Sequence, residues 1–179
     1  MQLKALCVSL VAAGAVASLH LNVRTITQIQ NDLTVIANKT QQISSTSIFA
    51  KANPTTYVFS LAVVNAINAT DIAAKTATTD TANTAAFTDA QCTQLLNATE
   101  ALVPGTLQFA LPNLVGAHNA LVMSGYWIKA WQTLGLVKTD LHKFIGNLGV
   151  KCPTAAGKAR ATSIQTTTDN MIQNALNTM

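Results

Sequence analysis

The spacing of large apolar residues between Trp127 and Leu148 constrains the fold more than any other feature of the chain. Trp127, Trp131, Leu134, Leu141, Ile145 and Leu148 fall at steps of 4, 3, 7, 4 and 3. That spacing places all six on one face of an α-helix, and Ile128, Val137 and Phe144 widen the face. Lys129, Gln132, Asp140 and Lys143 are expected to turn away from it. A helix this apolar must lie against several others, so an all-α bundle is expected, with this helix spanning 120–149.

Four more helices are read from the remaining pattern. Residues 19–44 carry Val23, Ile26, Ile29, Leu33, Ile36, Thr40 and Ile43 at steps of 3 and 4, nearly a coiled-coil seam. Asn53 and Pro54 read as the N-cap and first turn of a helix over 54–72 that is apolar almost all round. The Ala/Thr-rich stretch 73–86 has no apolar period and reads as a fraying helix end followed by a loop. Thr88 and Gln91 form a capping box for a helix over 88–115, which Pro104 and Pro112 are expected to bend, opening space beside it. Pro153 opens a last helix over 154–177. The expected architecture is a five-helix up-and-down bundle in one domain. Its topology puts the start of the third helix and the end of the fourth together, so Cys92 and Cys152 are expected to form a disulfide.

Residues 1–17 read as a secretory signal peptide: Lys4, an apolar run from Ala5 to Val16, and the small-residue pattern Ala15-Val16-Ala17 before Ser18. The bundle domain is then 18–179, without Cys7. The sequons at Asn38, Asn68 and Asn97 agree with export and are candidate glycosylation sites. No other stretch is expected to span a membrane. The product is expected to be released, or held in an extracellular matrix without a membrane tether.

Charged residues make up only 10% of the chain, and its net charge of +4 includes no run of Lys or Arg, which argues against nucleic-acid binding. No zinc, di-iron, nucleophile-elbow or phosphate-loop motif occurs, and His118 and His142 read as surface residues. No catalytic residue, metal or cofactor is expected. The inner stripes mix large side chains with Ala, Thr and Gly, which leaves two readings: a tunnel for an aliphatic chain, or a well-packed core.

The signal peptide, the five Ala/Thr-rich helices, Leu102-Val103-Pro104 in the middle helix and Lys151-Cys152-Pro153 opening the last are similar to the fungal hydrophobic surface-binding protein A family, which includes cell-wall galactomannoproteins. The 49-residue spacing from Pro104 to Pro153 also fits. The resemblance implies a secreted, non-catalytic protein that adsorbs to hydrophobic surfaces or encloses a long-chain fatty acid, with cell-wall polysaccharide as a further partner. Tyr57, Leu61, Phe109, Trp131, Leu134, Leu141 and Ile145 are the lining residues expected for such a lipid. The alternative is a structural wall mannoprotein with a solid core.

Overall fold

Thr25 opens the first helix with a capping box: its hydroxyl accepts from the Gln28 N–H, and its own N–H donates to Gln28 Oε1 at 2.8 Å. The computed structural model describes residues 25–179, so the expected signal peptide over 1–17 lies outside the described residues. Every regular element among them is helical: α1 (Ile26–Ala52), α2 (Tyr57–Ala82), α3 (Asp89–Gly116), the short α4 (His118–Met123), α5 (Trp127–Lys151) and α6 (Ala155–Thr178). The long helices close into a ring in the order α1, α2, α5, α6, α3, with α1 again beside α3. Their inner faces share one apolar core that includes Ile29, Leu33, Ile67, Leu95, Leu134 and Phe144.

The described residues form six helices rather than the five expected. Gly125 causes the difference. With Ser124 it turns the chain between α4 and α5 at a φ of 74°, a conformation that costs any residue with a Cβ. The other boundaries moved for local reasons. α1 continues eight residues beyond Ser44 to Ala52, because Ser47 and Ala50 extend the buried seam with small side chains. Asn53 closes α1 instead of opening α2, with its Nδ2 donating to Phe49 O at 3.1 Å, and Thr56 takes the N-cap of α2.

The stretch 73–86 is largely helical. α2 runs to Ala82 and buries Ala73, Ala74 and Ala77. Alanine is the best helix former and lets neighbouring helices approach closely, so the missing apolar period hid a packed face. α2 is also long and apolar enough, by length and composition alone, to cross a bilayer, contrary to the expectation of no such stretch. Half of its most apolar window is buried in the bundle, where it packs against α1 and α5.

The predicted disulfide is present. Cys92 and Cys152 join the first turn of α3 to the C-cap of α5, across a sequence separation of 60. Phe87 N–H donates to Lys151 O at 3.0 Å, and Lys151 Nζ to Thr84 O at 2.6 Å, so this end is tied by hydrogen bonds as well. At the same end α6 starts from Thr154, whose hydroxyl accepts from Gly157 N–H at 3.2 Å.

Asp140 does not turn away as expected. It is 7% exposed, because α5 packs against α2 on the side opposite α6. There Lys75 Nζ lies 2.6 Å from Asp71 Oδ2 and 3.7 Å from Asp140 Oδ2.

Candidate functional site

The C-terminal halves of α3 and α6 face each other with matching stripes. On α3, Leu107, Leu111 and Val115 recur every four residues, with Gln108 and Pro112 alongside; on α6, Met171, Ala175 and Thr178 recur at helical spacing beside Asn174. These residues line an open groove of about 390 Å³, within the roughly 300–1,000 Å³ common for small-ligand sites. Pro112 contributes to it. α3 runs unbroken through Pro104 and Pro112, and Pro112 supplies no N–H to the Gln108 carbonyl one turn back, which loosens the helix beside the groove. Ala175 is small, so α6 leaves room where a larger residue would fill the gap.

The groove contains no charged side chain; its polar members are the exposed amides of Gln108 and Asn174 and the Thr178 hydroxyl. Such walls suit an acyl chain, with its headgroup left at the amide rim, since burying a carboxylate unpaired is costly. Two other grooves are nearly as large. The one between α1 and α2, about 330 Å³, is lined in part by Asp32 and Lys39. The one between α5 and α6, about 360 Å³, holds Lys158 and Gln165. Both are less suited to an alkyl chain.

None of the seven residues expected to line a lipid site borders the α3–α6 groove. Leu134, Leu141 and Ile145 are fully buried in the shared core, and Leu61 is half-buried. Tyr57, Phe109 and Trp131 face outward. Trp131 sits where α5 passes the end of α6, with Nε1 donating to Leu176 O at 3.1 Å. Only the adjacency of α3 and α6 makes Leu107, Leu111 and Met171 opposite walls of one groove.

The sequon asparagines Asn38, Asn68 and Asn97 are all exposed, while their threonines Thr40, Thr70 and Thr99 are buried and donate to carbonyls four residues back. Asn97 Oδ1 accepts from Arg160 at 2.7 Å. His142 Nδ1 lies 2.6 Å from Asp169 Oδ2, and His118 meets the Trp127 ring edge-on at 5.7 Å. Among the described residues no group of His, Cys, Asp or Glu is placed to hold a metal.

The ionic cluster between α2 and α5, with buried carboxylates and exposed lysines, is well away from the groove. Burial, then the hydrogen bond with Asp71 and the Asp71 charge, raise the Asp140 carboxyl above its ordinary value, against Lys75 and Lys143. Lys75 is raised above 10.5, chiefly by its hydrogen bond to Asp71.

No protein-family model matches the chain, and no curated protein matches it. The solved structures do. The bundle shares its fold with two fatty-acid complexes. The structure of AfMP4p in complex with palmitic acid aligns with a TM-score of 0.78 at 18% identity, covering 86% of this chain and 99% of that one. Ligand-binding domain 1 of Penicillium marneffei MP1 protein, complexed with arachidonic acids, aligns with a TM-score of 0.72 at 11% identity, covering 86% of this chain and 98% of that one. At these identities the likeness is one of fold.

Proposed function

We propose that this chain is a secreted, non-catalytic lipid-binding protein of the hydrophobic surface-binding and galactomannoprotein kind, holding a long-chain fatty acid between α3 and α6. The observation that carries the reading is the uncharged groove of about 390 Å³ in a fold shared with two fatty-acid complexes. Each methylene removed from water contributes about 0.8 kcal/mol, so ten of them supply about 8 kcal/mol, on the scale of a micromolar complex before ordering costs. The expected signal peptide and sequons support export from the cell, and the resemblance to cell-wall galactomannoproteins supports an association with the wall.

Titration of delipidated protein with a fluorescent long-chain fatty acid tests the reading. Saturable binding is expected, lost in Leu111→Arg and in Met171→Arg and kept in Ile72→Arg, which alters the α1–α2 groove. Binding that survives both groove variants refutes the assignment. The full burial of Leu134, Leu141 and Ile145 favours a second reading, a structural mannoprotein with a solid core, which predicts no saturable binding at all.

A further inference from the structure

The end of the bundle away from the disulfide differs from the rest of its surface. Four contacts fix which segments meet there. The Phe49 and Phe59 rings stack at 6.1 Å. Ser60 Oγ donates to Ala120 O at 3.1 Å. The Lys51 stem lies 3.4 Å from where a Cβ on Gly116 would stand. Trp131 bonds to the last turn of α6. The end of α1, the start of α2, α4, the start of α5 and the ends of α3 and α6 therefore converge on one tip.

From that tip Phe49, Tyr57, Val58, Met123, Ile128 and Trp131 stand out, each between 44% and 64% exposed. The segments that build it, residues 44–66, 101–131 and 170–179, contain no Asp or Glu. They do contain Lys51 and Lys129, and neither forms an ion pair with a carboxylate of the described residues. The sequons stay back from it. Asn68, eleven residues beyond Tyr57 in α2, lies about 16 Å along the helix from it at 1.5 Å per residue.

Aliphatic and aromatic side chains with lysines and no acidic side chain suit the headgroup layer of a membrane. The apolar ends reach the acyl boundary, Tyr and Trp rings sit at the interface, and ammonium groups stay with anionic phosphates. A contact between two copies would bring the unmatched lysines towards each other, with no acidic side chain in these segments to offset them.

We infer that this tip docks on an anionic lipid bilayer. The α3–α6 groove reaches the same end through Pro112, Val115 and Thr178, so docking sets its mouth against the membrane. Filling of the groove from that membrane rests on the fatty-acid reading above, whereas docking itself does not.

The test mixes the protein with sedimenting vesicles of phosphatidylcholine, alone or with phosphatidylglycerol, and reads the bound fraction and tryptophan emission. Wild type is expected to sediment with the anionic vesicles, with blue-shifted emission, and much less with the neutral ones. Lys51→Gln combined with Lys129→Gln is expected to weaken anionic-vesicle binding about 30-fold, which is about 1 kcal/mol per lysine. Met123→Asp combined with Ile128→Asp is expected to abolish it, with circular dichroism unchanged because both residues are exposed. Met171→Arg still sediments while losing fatty acid, and the tip variants keep fatty acid, so the two readings fail separately. The inference is overturned if wild type ignores anionic vesicles, binds both kinds equally, or binds regardless of the tip variants. A dimer that depends on the tip residues, without vesicle binding, would assign the face to a second copy instead.

Discussion

Replacing both members of the disulfide, Cys92→Ala with Cys152→Ala, isolates the work of one covalent bond. The bond closes a loop across 60 residues. In the chain-entropy model the unfolded chain then regains about 14 cal/mol/K, or about 4 kcal/mol at 25 °C. The native state keeps other ties at that end, from Phe87 N–H to Lys151 O and from Lys151 Nζ to Thr84 O, so most of the loss should lie in the unfolded ensemble. For a domain of this size, about 2–4 °C per kcal/mol gives a fall in Tm of about 8–16 °C. Urea unfolding followed by circular dichroism measures the free energy, with wild type under oxidising conditions as reference. Fatty-acid affinity is expected to stay unchanged, since the groove lies towards the opposite end. A loss under about 1 kcal/mol would refute the entropic account.

Two smaller perturbations probe the helix contacts. A Cβ on Gly149 would stand 2.8 Å from Ala161 Cβ, so Gly149→Ala is expected to push α5 and α6 apart and cost about 1–3 kcal/mol in a thermal melt; an unchanged melt would mean the interface yields freely. Because the folded Asp140 carboxyl is raised above 3.8, its contribution is fully present below that pH and is lost as pH rises through the raised value. Asp140→Asn should remove that loss, making urea midpoints fall less with pH above 3.8 than in wild type; identical profiles would contradict the assignment.

How far the fold was legible can be followed residue by residue. The capping box at Thr88 and Gln91 is local, set by side chains three positions apart, and it forms as read. The pairing of Cys92 with Cys152 was legible too, because helix order alone puts those ends together. Asn53 shows the limit. Asn with a following Pro suits either a helix start or a stop, and only the packing of Ser47 and Ala50 under α1 decided for a stop.

The sequence by itself determined that the chain is helical, which faces are apolar and which cysteines pair, because each follows from spacing within a turn or from the order of the elements. The tertiary structure alone decided which faces meet. The same 4-3 spacing carries Leu134 into the core and leaves Trp131 half in solvent. Nor does spacing place Leu111 across from Met171. A groove is the space between two surfaces, and helical periodicity describes one surface at a time.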